Sequence, residues 1–323
     1  MRRREVIASL AGLATWPVVA RGQEPGRVYR VAYLGPSPIG ATPQAAFFEE
    51  LAKLGFVEGK NLEADKRGYG QRPGQFSETA RALVRAKVDL IVCGGPEPGK
   101  AAQAATKTIP ILVNTDDMVG EGLVKSIAHP EANVTGISIR SPDLDGKRLE
   151  ILLELLPAAR RIAGLAGGDT ASPQHFGELR DAAKARGVEF VIRTVNAYGE
   201  IAPAIEAAKA AGAQGLNVMG SALLFGNRKA IFERTAALGF PAIYQWPENA
   251  REGGFVGYGP SIVEIYRAQI SRLAVKILLG AKPADLPVEL PDKFDLAINL
   301  KVAKALGLTV PQVMLAKADE VVE

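Results

Sequence analysis

The chain has 323 residues, one cysteine, two histidines and a formal net charge of +4 at pH 7. A single cysteine excludes an intramolecular disulfide framework, and two histidines offer little to a metal centre. Residues 1–22 hold four arginines and one glutamate, so the rest carries 35 basic and 34 acidic residues, a formal charge of +1, and no basic stripe argues for nucleic acid, whose binding needs a clustered cationic face.

In chain order, Arg2, Arg3 and Arg4 come first, followed after Glu5 by an uncharged run from Val6 to Ala20. Small residues, Ala20 and Gly22, stand before Gln23. These three parts predict a secretory signal peptide over residues 1–22 and a periplasmic location. The run is shorter than the ~20 residues of a membrane span. Its adjacent arginines also permit a twin-arginine export signal. A buried N-terminal helix is the competing reading. No cysteine stands at the cleavage point, which argues against a lipid anchor. No later stretch is long and apolar enough to span a bilayer, so a soluble mature chain is expected.

Short apolar runs then alternate with amphipathic stretches. Arg30 to Leu34 reads as a strand ending in Gly35-Pro36-Ser37, and Phe47, Leu51 and Leu54 mark the helix after it. Val88 to Cys93 and Ile109 to Asn114 are further strands, ending in Gly94-Gly95-Pro96 and Thr115-Asp116-Asp117. Continuous apolar runs bounded by Gly, Pro and Asp suit parallel strands buried on both faces. His129 and Pro130 suggest a helix C-terminus. The pattern restarts with a strand-like link from Val134 to Ile139, a helix from about Leu144 to Leu156, and a strand from Arg161 to Ala166 ending in Gly167-Gly168-Asp169. Strands over Glu189 to Val195, Gly215 to Met219, Pro241 to Tyr244 and Gly254 to Gly257 follow. Ile262, Ile265, Gln269, Leu273 and Ile277 mark a long helix, with only Gln269 breaking its apolar stripe. Phe294 to Leu300 is a last strand. Two successive sets of βα units, each large enough for its own sheet and core, predict an α/β chain of two lobes without a flexible linker.

These residues also carry a family resemblance. Leu51 to Asn61 (LAKLGFVEGKN), Thr108 to Ile111 (TIPI), Asp117 to Val124 (DMVGEGLV), Asn133 to Gly136 (NVTG), Tyr258 to Pro260 (YGP) and the stretch from Ile298 to Pro311 occur in this order over most of the chain. The chain resembles the type I periplasmic binding proteins. More closely, it resembles the ABC-transporter substrate-binding proteins related to tryptophan- and tyrosine-binding lipoproteins. It departs from them at Met118, where the family often has Pro, and near Gly95 and Pro96, where small residues or Thr are usual. The resemblance implies two doubly wound parallel-sheet lobes joined by three crossings, near Ser138, near Trp246 to Gly253 and near Pro283 to Leu286. Lobe one would span 28–138 plus 254–283, and lobe two 139–253 plus 284–323. It further implies a non-catalytic solute-binding protein that works as a monomer with an ABC permease of the inner membrane.

In open α/β sheets the ligand crevice lies outside the carboxyl ends of the strands. Those ends carry Pro36, Ser37, Gly95, Pro96, Glu97, Asp116 and Asp117 in lobe one, and Gly168, Asp169, Thr170 and Ser221 in lobe two. Gly and small polar residues let helix N-termini approach a carboxylate, and either aspartate suits an ammonium. Trp246 and Glu248 are added from the second crossing, and Tyr33, Trp246 and Tyr258 as candidate aromatic walls. Each of these residues also has an ordinary reading as a turn, cap or core position. The expected ligand is a small amphipathic molecule: an amino acid, aromatic or branched, or a related carboxylate. No cofactor, metal or catalytic residue is expected. His129 and His175 have no second ligand at metal spacing, Cys93 ends a buried strand, and no Gly-x-Ser-x-Gly elbow occurs. A sensory module reporting to a receptor and an exported hydrolase remain as alternatives.

Overall fold

The computed structural model describes residues 26–72, 74–168 and 173–323. The expected signal segment lies outside the described residues, as do Asp169 and Thr170. Two sheets organise the chain. The first contains β1 (Tyr29–Leu34), β2 (Leu62–Asp65), β3 (Leu90–Gly94), β4 (Ile111–Thr115) and β5 (Val134–Ser138), in spatial order β2-β1-β3-β4-β5 and parallel throughout. Strand alternation sends Tyr29, Val31 and Tyr33 to one face of β1, and Ala32 and Leu34 to the other. The second face is covered by α2 (Phe76–Arg85) and α3 (Pro96–Ala105). The first is covered by α1 (Thr42–Lys53) and by the long helix near residue 270.

The second sheet has seven strands: β6 (Arg161–Gly167), β7 (Glu189–Val195), β8 (Gly215–Val218), β9 (Ala242–Tyr244), β10 (Val256–Gly259), β11 (Asp295–Asn299) and β12 (Glu320–Val322). Their order is β12-β11-β10-β9-β8-β6-β7, and only the β10–β11 pair is antiparallel. One face packs on α4 (Ser141–Leu155) and α5 (Pro173–Ala185), the other on α6 (Tyr198–Ala210), α7 (Ala222–Gly226) and α8 (Arg228–Ala237). Each sheet is therefore buried on both faces, the doubly wound α/β arrangement that continuous apolar strands require.

The second and third crossings differ from expectation. The chain passes to the second sheet between Ser138 and Ser141, returns between Gly259 and Ile262, and passes back after Glu289. The segment 254–259, expected in lobe one, belongs to the second sheet, because Val256 and Gly257 pair with Ile243 and Tyr244 and the strand's other edge pairs with β11. The start of the segment expected in lobe two, 284–323, stays with the first sheet: Val288 joins its core, and Glu289 exchanges backbone hydrogen bonds with Gly136 and Ser138. The short α9 (Glu248–Arg251) lies inside the second lobe rather than in a crossing. Beyond the second crossing, the long helix comprises α10 (Ile262–Glu264), a π-helical segment (Ile265–Ile270) and α11 (Ser271–Leu278). Gln269, the break in its apolar stripe, donates to Glu289 Oε2 at 3.3 Å and to the Leu290 carbonyl at 3.2 Å. That polar residue ties the helix to the third crossing. No helix precedes His129, which lies in an exposed irregular stretch.

Candidate functional site

The carboxyl ends of the two sheets face each other across a cleft. Lobe one contributes the loop after β1, the turn from β3 into α3, the end of β4, and the first turns of α1 and α10. Lobe two contributes the entry to α7 and the loop after β9. The cleft is narrow in this closed arrangement, with about 60 Å³ of free volume.

Aromatic rings form much of its wall. Tyr33 is buried, and its hydroxyl lies 3.1 Å from Ser37 Oγ. Burial pushes that phenol up to about 12. A Cβ at Gly35 or Gly94 would fall 2.4 or 2.3 Å from this hydroxyl, so the ring's seat requires glycine at both positions. Trp246 meets Phe225 edge to face, with centroids 6.2 Å apart, and Tyr266 of the π-helical segment completes the aromatic set.

The polar groups converge from several strand ends. Asp116 accepts from Gln245 Nε2 at 2.8 Å, a bond that joins the two lobes. Thr115 Oγ1 donates to Glu121 Oε2 at 2.6 Å behind the wall. Burial raises the Glu121 carboxyl to about 8; the charges of Asp116 and Asp117 add to this, while hydrogen bonds from Thr115 and the Asp117 N–H oppose it. Ser221 caps α7, accepting from the Leu224 N–H. Gly95, at φ 112°, starts α3, and a Cβ there would lie 3.1 Å from that of Ala222 in the other lobe. The lobes thus stand closed on each other. Three buried polar atoms in the lining have no hydrogen-bond partner: Gln44 Oε1, Asn114 Oδ1 and Trp246 Nε1. Asp116 is the one charged side chain among the described lining residues.

Of the residues singled out in the sequence, Pro36, Ser37, Gly95, Pro96, Asp116, Ser221 and Trp246 line this cleft. Glu97 lies exposed in the first turn of α3. Asp117 folds onto its own loop, accepting from the Val119 and Gly120 N–H groups at 3.2 and 2.9 Å. Gly168 is exposed at the end of β6, where its N–H reaches the Val195 carbonyl. Glu248 lines a second cavity by the second crossing. Tyr258 packs on the core of the second sheet. Met118 is fully buried under the first sheet, so that departure from the family lies in the core. Sequence reasoning missed Gln44, Asn114, Phe225, Gln245 and Tyr266. Asn114 alone had a local signal, as an amide closing an apolar run two residues before Asp116.

A family model described as ABC transporter substrate binding protein matches residues 42–322. The chain is 27% identical over 281 residues to a tyrosine-binding protein of Clostridioides difficile strain R20291, covering 85% of this chain and 80% of that protein. It superposes with a TM-score of 0.81 on a conserved domain protein from Vibrio cholerae, at 26% identity and over 91% of this chain and 99% of the other. The ABC domain from Streptococcus pneumonia, solved in complex with L-Trp, gives a TM-score of 0.78 at 23% identity, over 91% of this chain and all (100%) of that one.

Proposed function

The chain belongs to the ABC transporter substrate binding protein family, and from that premise we propose that it is the exported, non-catalytic receptor of an ABC importer, closing its lobes on an aromatic amino acid and handing it to a permease. The observation that carries this reading is the trio of unpartnered polar atoms, Gln44 Oε1, Asn114 Oδ1 and Trp246 Nε1, in a cleft walled by Tyr33, Phe225 and Tyr266. A buried polar atom without a partner is costly, and a ligand with an aromatic body and a polar head answers all three. Asp116 suits the ammonium group. The first turns of α1 and α3, whose Gln44 and Pro96 line the cleft, suit the carboxylate, since helix N-termini favour anions. The similarity to a tyrosine-binding protein supports the same ligand class.

Calorimetric titration of the purified protein with L-tyrosine and L-tryptophan tests the reading. One of them binds and is recovered unchanged after long incubation. Asp116→Ala and Trp246→Ala each weaken binding about tenfold or more, the scale of a lost charge-assisted bond or aromatic contact. Unaltered affinity in both variants, or conversion of the ligand to a product, overturns it.

A further inference from the structure

A second cavity adjoins the cleft. It lies between the start of α1, α8, α9 and the second crossing, and has about 430 Å³ of free volume, against about 60 Å³ in the cleft. Pro43, Phe225 and Ile262 line both spaces, so the two share a wall. Unlike the cleft, this chamber is lined with charge. Arg228 pairs with Glu252 at 2.5 Å, Arg251 with Glu320 at 2.5 Å, and Arg267 with Glu264. Asp295 pairs with Lys293 at 2.8 Å. Among the described residues, Glu248 is the chamber's one charged group without an ion-pair partner.

Its Oε1 is explained by the fold. It accepts from Ser261 Oγ at 2.5 Å and from the Val263 N–H at 3.3 Å, which fixes the start of α10. Its Oε2 has no hydrogen-bond partner, although the residue is only 8% exposed. That oxygen lacks a donor and the carboxylate lacks a paired cation, both of which a buried charge needs.

We propose that this chamber is a second ligand compartment, which takes a cationic amine or guanidinium arm onto the Glu248 carboxylate while the ligand's body lies in the aromatic cleft. The proposal rests on the reading of the cleft as a solute site. Burial holds the Glu248 carboxyl above its ordinary range; Ser261, the Val263 N–H and the charge of Arg251 oppose that rise. The remaining charged groups facing the chamber, Arg228, Glu252, Glu264, Arg267 and Asp295, are already paired. In the empty chamber the carboxyl keeps its proton below its raised pKa. Below that pKa an arriving ammonium leaves a carboxylate–ammonium pair and the carboxyl proton passes to the buffer, with only the O–H bond broken. Affinity for amines therefore rises with pH up to that pKa.

Phenylalkylamines with two to five methylenes, titrated into the intact protein beside phenylalkanols of the same length, test this calorimetrically. At least one amine binds about tenfold or more tightly than its alcohol, its heat varies with buffer ionisation enthalpy as release of a proton requires, and Glu248→Gln erases both effects. The proton release is read on the unaltered protein, so the test survives a variant that fails to fold. L-tyrosine and L-tryptophan are titrated in parallel. If either binds and no amine exceeds its alcohol, the second compartment is refuted and the cleft reading stands. If no amino acid, amine or alcohol binds, both readings fall.

Discussion

Glu121 shows how one side chain behind the cleft sets a property of the molecule. Burial, above all, pushes its carboxyl up to about 8 in the fold, from an ordinary value of 4.5. The folded state therefore holds the proton more tightly than the unfolded chain does. The resulting stability is fully present below pH 4.5 and is lost as the pH rises towards 8. The slope has a ceiling of about 1.4 kcal/mol per pH unit, reduced by the group's partial exposure. Urea unfolding between pH 5 and 8 should show this decline, and Glu121→Gln should flatten it, since an amide can keep a hydrogen bond with Thr115 but has no proton to lose. Glu121 stood inside a recognisable family motif, yet its role was not legible. Its partner Thr115 lies six residues away and is met only through the turn after β4. Likewise nothing local separates Asp116 from Asp117. The fold turns one towards Gln245 and the other onto its own backbone.

At the scale of elements, α4 is held to the second sheet by a buried ionic group. Arg148, with a fully buried side chain, donates to Asp145 Oδ1 at 2.6 Å and to the Tyr258 carbonyl of β10 at 2.9 Å. Asp145 Oδ2 also lies 3.0 Å from His175 Nε2 of α5. One cluster thus joins two helices to a strand. Arg148→Ala strands Asp145 without its guanidinium and should cost about 3–5 kcal/mol in denaturant unfolding. The sequence shows Asp145 and Arg148 as an ordinary i, i+3 pair, because Tyr258 and His175 are far away in the chain. Most strands were readable for the opposite reason: runs such as Val191-Ile192 or Leu90-Ile91-Val92 announce themselves locally. The sheet to which β10 belongs is set by pairing with β9 and β11, and no property of Val256 to Gly259 encodes that partner. The edge strand β2, with the sequence LEAD, alternates apolar and polar over only four residues, too short a run to stand out.

For the whole molecule, the doubled βα pattern was legible because each unit is local, whereas the closed arrangement is a matter of contacts between remote segments. Asp116 to Gln245 and Gly95 to Ala222 each join residues more than a hundred positions apart. The cleft's aromatic wall was legible in part for the same reason: Trp246 stood out as a rare residue, while Phe225 and Tyr266 gain meaning only when α7 and the π-helical segment come together. Rarity has a further consequence. The sequence contains two tryptophans, Trp16 and Trp246, so a chain beginning after Gly22 has a single indole, and that indole sits in the cleft with Nε1 unpartnered. Its ultraviolet emission should shift saturably as L-tyrosine is added, with the midpoint found by calorimetry, and Trp246→Phe should abolish the signal. A molecule of this kind carries its own dye at the place where occupancy changes, so capture and release of a solute can be timed by light alone, without a label.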